Sequence, residues 1–248
     1  MFFSPLEQFE ITLIYPLKIY GSNISLTNFT LFLFIVFLIL MLFFGLSLYE
    51  STIIPNNWQA SNEVLYEFVI SMIKDTLGRK GEFYFPIVFV LHIFLLTCNL
   101  LGMIPYGFTL TSHIIFTFGC AFSVFFGINV VGVWLHGRYF FNIFLPNNIP
   151  VPIVPLIVTI EIISYLLRVI TLSLRLFANM MSSHILLKIV ARFSWFVFSK
   201  GGWFVIFHLI PLALLFTLMV LEFGIAILQA YIFTLLFCIY LNDVLESH

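Results

Sequence analysis

Two long stretches without a charged side chain dominate this sequence. No Asp, Glu, Lys or Arg occurs between residues 19 and 49, or between residues 83 and 137. A helix needs about 20 apolar residues to cross the roughly 30 Å of hydrocarbon in a bilayer, and its backbone groups must find their hydrogen bonds within the segment. The first stretch therefore predicts one membrane-spanning helix, and the second is long enough for two.

The overall composition supports the same class of protein. Charged residues make up 8% of the chain and hydrophobic residues 62%, whereas a typical soluble domain is about 25% charged. Such a chain cannot build a soluble surface, and it has no basic patch for nucleic acid. The alternating pattern of a membrane barrel is also absent. We therefore predict an all-α, polytopic membrane protein.

Breaks rich in Pro, Gly and Asn divide the single predicted membrane domain. Residues 61–81 combine charged and apolar positions, which is typical of an amphipathic helix at the membrane interface, with Ser61 or Asn62 as its N-cap. Lys74, Arg79 and Lys80 place this side in the matrix or cytoplasm by the positive-inside rule. The predicted segments of the domain (1–248) are an arm (1–27), a membrane helix (28–50), the interfacial helix (61–81), two membrane helices (83–136) and a helical hairpin (152–245).

The last hundred residues differ from the rest. Between Pro155 and Arg192 no Pro or Gly interrupts the chain, and residues 203–244 contain only Pro211 and Gly224 as weak points. At 1.5 Å per residue, helices of this length are roughly twice as long as the hydrocarbon is thick, so they must tilt to stay in lipid. We predict a strongly tilted antiparallel hairpin that turns at Gly201–Gly202.

Ionisable residues inside this hairpin are the main functional signal. A charge at the bilayer centre costs about 2.5–3.5 kcal/mol on insertion scales, so these side chains are expected to face protein or water. Glu161, Arg168 and Arg175 are spaced by seven residues and share one helix face. The spacing leaves open whether this face packs against the protein's own helices or against another subunit. The ionisable residues are Glu161, Arg168, Arg175, His184, Lys188 and Arg192 on the first helix and His208 and Glu222 on the second.

The hairpin geometry predicts two polar levels. If the chain turns at Gly201–Gly202, His184 and Glu222 lie at one level. Arg175 and Gln229 lie at another, about 13 Å along the helix. Arg cannot give up its proton, whereas His and Glu exchange protons near neutral pH. This arrangement predicts a proton path interrupted by a fixed positive charge, although His184 is also compatible with a hydrogen-bonded core residue.

Two motifs resemble a known family. The segment SLRLFANM at residues 173–180, followed by HILL at 184–187, strongly resembles the signature of the a subunits of F-type ATP synthases. The segment NLLGMIPY at 99–106 is similar to a second motif of that family, and SPLEQFE at 4–10 is similar to plant and algal mitochondrial members. The resemblance covers essentially the whole chain, and the pairing of His184 with Glu222 resembles the mitochondrial or alphaproteobacterial form.

The resemblance implies a proton-translocating stator subunit beside a ring of c subunits, which provide the essential carboxylates. Arg175 would separate two offset half-channels and prevent a proton short-circuit, with Asn179 and Gln229 near it. The other partners implied are peripheral-stalk and membrane-sector subunits and the lipid bilayer, with no nucleic acid. The implied location is the mitochondrial inner membrane or, as the alternative, an alphaproteobacterial plasma membrane.

The resemblance also assigns the two paths. His184 and Glu222 would line the inlet from the intermembrane space, and Glu161, with Arg168, the outlet to the matrix. No cofactor or metal is implied. The subunit is not expected to act on nucleotides by itself, and no Gly-rich phosphate loop with a Lys occurs in it. Cys98, Cys120 and Cys238 lie in apolar runs at spacings that suit neither a metal site nor a disulfide framework.

Three other functions compete with this interpretation. A proton-coupled secondary transporter would be expected to show an internal repeat, and none is evident. A membrane subunit of a respiratory complex could use the same charges as a proton relay within a fixed assembly. A purely structural membrane protein would leave the ionisable groups of the hairpin unexplained.

Overall fold

Helices dominate the computed structural model, which describes residues 5–16, 18–19, 22–23, 25–49, 52–104, 107–137, 140 and 153–245. The all-α prediction is confirmed. The proline-rich break that the sequence predicts ahead of the hairpin lies largely outside these residues. The helices are α1 (Asn28–Tyr49), α2 (Asn57–Leu77), α3 (Phe85–Gly102), α4 (Ile114–His136), α5 (Val154–Ser199), α6 (Phe204–Phe207) and α7 (Leu209–Leu245).

Within the described part of the chain, five helical stretches are long and apolar enough to cross a membrane. They are α1, residues Gly81–Gly102, α4, α5 and α7. Short 3₁₀ turns cover Pro5–Phe9, Gly78–Tyr84 and Leu110–Ser112.

The N-terminal arm carries two small antiparallel strand pairs. β1 (Leu13–Tyr15) pairs with β4 (Leu26–Thr27), and β2 (Lys18–Ile19) pairs with β3 (Ser22–Asn23). The side chain of Asn28 accepts a hydrogen bond from the Thr12 amide at 3.1 Å and donates to the Glu10 carbonyl at 3.0 Å. These bonds hold the exposed arm against the start of α1.

The amphipathic helix α2 begins earlier than the sequence predicts. Its N-cap is Asn56, whose side chain accepts from the Asn57 amide at 2.9 Å. The predicted caps are wrong because both side chains point elsewhere. Ser61 donates to the Asn57 carbonyl at 2.7 Å, and Asn62 donates to the Ser47 hydroxyl of α1 at 3.2 Å. Asn56 has the extended backbone that a cap requires, whereas the two later residues are already helical.

The orientation inferred from the basic cluster stays a prediction. Lys74 lies 3.9 Å from the Glu82 carboxylate, and both side chains are about half exposed, a surface pair that contributes little to stability. The side chains of Arg79 and Lys80 lie outside the described part of the structure.

The core forms where α3 and α7 pack together, with the other helices against them. The apolar face of α2, including Val69 and Ile73, packs with Val88 of α3 and Leu241 of α7. A second cluster joins α3, α4, α5 and α7 around Phe233, which is fully buried. The α5 residues in this second cluster are Val169, Leu172 and Leu176.

The C-terminal hairpin turns where the sequence predicts. Gly201 and Gly202 have φ angles of 68° and 61°, the left-handed region that glycine adopts at little cost. Next to the turn, the His208 Nδ1 donates to the Ser194 carbonyl at 2.9 Å and lies 3.0 Å from the Ser194 hydroxyl. With 46 and 37 residues, α5 and α7 extend over about 69 and 56 Å.

The close approach of α4 to the end of α7 yields a test of the packing. A Cβ atom at Gly132 would overlap the Phe140 ring and lie 2.8 Å from Val244 Cγ1, whereas one at Gly127 would meet nothing within 4 Å. Gly132→Ala is therefore expected to destabilise the protein by about 1–3 kcal/mol through overpacking. Thermal unfolding in detergent measures the effect. Gly127→Ala, on the same helix, is the matched control and should be neutral or slightly stabilising; equal losses in both variants would contradict this packing.

Candidate functional site

The candidate site lies between α5 and α7, where polar side chains from the two helices meet. Glu222 and Gln229 stand seven residues apart on one face of α7 and are 1% and 3% exposed. Asn179, Ser183 and His184 of α5 face the same region. Polar groups buried at this depth are expected to be satisfied by one another or by water, so their pairing decides what the site can do.

His184 and Glu222 form the first polar level. His184 Nδ1 lies 3.4 Å from Glu222 Oε1, with side-chain exposures of 16% and 1%. The prediction that these two residues share a level is confirmed. Neither Glu222 oxygen nor His184 Nε2 has a hydrogen-bond partner among the described residues, although all three atoms are buried. The pair can therefore hold a proton and still accept further bonds.

A cavity adjoins this level. It has a volume of about 220 Å³, and its polar lining comes from Asn179, Ser182, Ser183 and Glu222. Water occupies about 30 Å³ per molecule in the liquid and enters cavities that offer several polar partners. The cavity thus has both the room and the polar lining to bring water to the Glu222 carboxylate.

The second polar level begins at Asn179, which also lines the cavity. Asn179 Nδ2 donates to Gln229 Oε1 at 2.9 Å, and Gln229 Nε2 is buried without a hydrogen-bond partner among the described residues. Arg175, one turn before Asn179, was expected level with Gln229, but the amide of Gln229 is bonded to Asn179 instead. At this level α5 and α7 are therefore joined by a hydrogen bond between two amide side chains and not by Arg175.

Arg175 itself is exposed on the outer face of α5. Within the described ranges, no carboxylate lies within ion-pair distance of its guanidinium. Thr171 and Ala178, which lie one turn to either side of Arg175 on the helix face it shares with Arg168, are exposed as well, whereas Leu172 and Leu176 are buried. The spacing left open whether this helix face packs against the protein's own helices or against another subunit. Around Arg175 the face does not pack against the protein's own helices.

The two remaining predicted site residues lie towards the start of α5. Glu161 is half-buried. Arg168 Nη1 lies 3.2 Å from Asp243 Oδ2 of α7, with side-chain exposures of 29% and 49%. The sequence reasoning did not select Asp243, because an acid two residues from the predicted end of the hairpin is typical of a solvated helix terminus.

A third helix reaches the site through Asn99. This α3 residue is fully buried, its Nδ2 donates to the Ala226 carbonyl at 3.1 Å, and its Oδ1 has no hydrogen-bond partner among the described residues. Ala226 lies between Glu222 and Gln229 on α7, so Asn99 stands beside both polar levels. A signal for Asn99 is present in the sequence, since it is an amide within a largely apolar helix, but from the sequence it is identified only as the first residue of a motif.

No ligand set for a metal is visible in the residues that the structure describes. Cys98 and Cys238 are buried and Cys120 is half-buried, all three as free thiols. The chemistry available at the site is therefore that of His, Glu, Arg and amide side chains.

Known proteins are similar to this chain over nearly its whole length. A family model described as ATP synthase A chain matches residues 29–242. A protein named ATP synthase subunit a from Chondrus crispus is 60% identical over 245 residues, covering 99% of this chain and 97% of the relative. Proteins of the same name from Marchantia polymorpha and Paramagnetospirillum magneticum are 45% and 43% identical, each over 99% of both chains.

The amide pair between the helices can be tested for its structural contribution. Asn179→Ala removes the donor to Gln229 and leaves a second buried amide atom of Gln229 without a partner, which is expected to cost about 1–3 kcal/mol. Ser182→Ala, three residues further along α5 and exposed, is the matched control and should change stability little. Unfolding of the detergent-solubilised protein by SDS titration measures both. An unchanged midpoint for Asn179→Ala would contradict the pairing.

Proposed function

Because this chain belongs to the ATP synthase A chain family, which contributes the proton-translocating subunit of the membrane sector, we propose that Arg175 separates two half-channels that this subunit forms against the ring of c subunits. The family resemblance noted from the sequence is confirmed by the match. The division of roles among the residues is our proposal, and it follows from their positions.

The observation that carries the proposal is the exposed, unpaired guanidinium of Arg175. A permanent charge within a membrane-spanning helix is costly unless it meets an opposite charge or water. No described residue of this chain supplies that partner. We infer that the partner comes from a neighbouring subunit, and a carboxylate on an adjoining ring of subunits has the required charge.

The inlet is proposed to run through the His184–Glu222 level. These groups exchange protons, and the adjoining cavity connects Glu222 with Asn179. From Asn179 the chain of polar groups continues to Gln229 at 2.9 Å. Protons from the intermembrane space would reach the ring carboxylate by this route.

The outlet is proposed to follow the same face of α5 from Arg175 back towards Glu161. This residue lies fourteen residues before Arg175 on the same helix face, about 21 Å along the axis, so it cannot share a path with His184. Arg168 lies between them, and because an arginine does not release its proton, it does not carry protons along this path.

The rotation then follows from electrostatics. A ring carboxylate that approaches Arg175 is favoured in its ionised form and gives its proton to the outlet. After passing Arg175 it accepts a proton from the inlet and returns to lipid as a neutral group, for which burial is cheap. Each proton that crosses 100 mV supplies about 2.3 kcal/mol, which biases the direction of movement.

The proposed setting is the mitochondrial inner membrane, with the peripheral stalk and other membrane-sector subunits as further partners. Five candidate membrane spans among the described residues, together with relatives from an alga and a plant, support it. Family membership sets aside the secondary transporter and the respiratory-complex subunit.

Loss of the charge at Arg175 is the decisive test of its role. Arg175→Ala is expected to abolish ATP synthesis and ATP-driven proton pumping, and to let protons leak through the joined half-channels. Arg175→Lys retains the charge but not the planar set of donors, so severe loss is expected there too. Dye quenching and passive proton conductance in membrane vesicles measure both effects. Normal pumping by Arg175→Ala would refute the proposal.

Exchange of the two inlet residues tests whether they act as a pair. His184→Glu or Glu222→His alone leaves two like groups at one level and should strongly reduce synthesis without a leak. The double exchange restores one imidazole and one carboxylate at the level where the native pair lies 3.4 Å apart, so it is expected to regain activity over either single variant. The same vesicles report the rates. A double variant no better than the worse single variant would show that the two positions do not work together.

A further inference from the structure

The open end of the hairpin is held by a cluster of polar and aromatic groups. α5 and α7 are covalently joined only through the turn at Gly201–Gly202, so the other end needs a separate connection. There, Arg168 Nη1 lies 3.2 Å from Asp243 Oδ2. The guanidinium carbon also lies 5.1 Å from the ring centre of Tyr240 and 5.8 Å from that of Tyr165, within the range of a cation–π interaction.

Helix α4 is tied into the same cluster. The Tyr165 hydroxyl donates to Asn129 Oδ1 at 2.6 Å, and close by His136 Nε2 donates to the Val244 carbonyl at 3.0 Å. Bonds between side chains on three different helices restrict the relative position of all three. We call this set the open-end clamp, and it consists of Asn129, Tyr165, Arg168, Tyr240 and Asp243.

This part of α5 is at most half-buried, and Tyr165 also packs on the Phe125 ring of α4 with the ring centres 4.7 Å apart. None of residues 154–168 is buried, and the first buried side chain of the helix is Val169. The full apolar burial that fixes most helices in a protein therefore begins only after the first four turns of α5. The clamp supplies the connection where the core does not.

We propose that Arg168 and Asp243 are positioning residues that set the separation of α5 and α7 at the open end, and through it the place of Arg175 against the neighbouring ring. This inference rests on the proposed function of Arg175. Arg175 lies seven residues from Arg168 on the same face, about 10 Å along the helix. A shift of the open end therefore moves the guanidinium that must meet each passing carboxylate.

The alternative is that Asp243 carries protons itself. A proton carrier depends on its own ionisable group, and its loss would not be repaired by moving that group to the other helix. A positioning pair depends on complementarity, so it survives an exchange of the two charges. Variants of both residues separate these roles.

The experiment uses the assembled ATP synthase in membrane vesicles with replaced subunit a. Arg168→Gln and Asp243→Asn are each expected to lower ATP synthesis per assembled complex by about threefold or more, without a passive proton leak. The charge exchange R168D/D243R is expected to recover at least half of the original rate, with an unchanged dependence on pH. Immunoblotting of the complex corrects each rate for assembly.

Arg192→Gln is the matched control. It removes an arginine from the same helix that forms no ion pair within the described residues, so synthesis should stay unchanged. The positioning role is overturned if the charge exchange is no better than the single variants, or if Arg168→Gln is fully active while Asp243→Asn is not. Failure of the proposed function would appear separately, as normal pumping by Arg175→Ala in the same vesicles.

Discussion

The organisation of this protein depends on where a permanent positive charge can be held in a bilayer. Water stabilises Arg on a soluble surface, but within hydrocarbon the same side chain needs a polar or anionic partner. Arg168 has that partner within the chain, the Asp243 carboxylate. Arg175 has none among the described residues. The two arginines are seven residues apart on one helix, yet only Arg168 has an ion-pair partner among the described residues.

Helix α5 has two chemically different faces. Its buried face, with Leu172 and Leu176, packs against the core formed by α3 and α7. Its exposed face presents small and polar residues around Arg175, which allow a neighbouring helix to approach closely. Helix α7 adds the two deeply buried polar groups, Glu222 and Gln229. The ionisable pair of His184 and Glu222 thus lies inside the protein, whereas the guanidinium of Arg175 lies at its surface.

Several features could be predicted because they follow from the linear pattern alone. Charge-free runs indicate membrane helices wherever they occur, and Gly201–Gly202 marks a turn because only glycine adopts its backbone angles freely. The shared level of His184 and Glu222 followed from the turn and the helical rise. The early N-cap at Asn56 was missed because several Asn and Ser residues near the helix start are equally suitable by type, and only the backbone conformation selects one of them.

The sequence by itself determined that this chain is a helical membrane protein, which family it resembles and which ionisable residues lie in its hairpin, because length, hydropathy and helical period act locally. Only the tertiary structure decided which of those residues are paired. The ion pair of Arg168 with Asp243, the amide bond of Asn179 with Gln229 and the approach of Asn99 to α7 each join residues on different helices. Such contacts depend on helix separation and rotation, which are set by packing of the whole bundle rather than by any one segment.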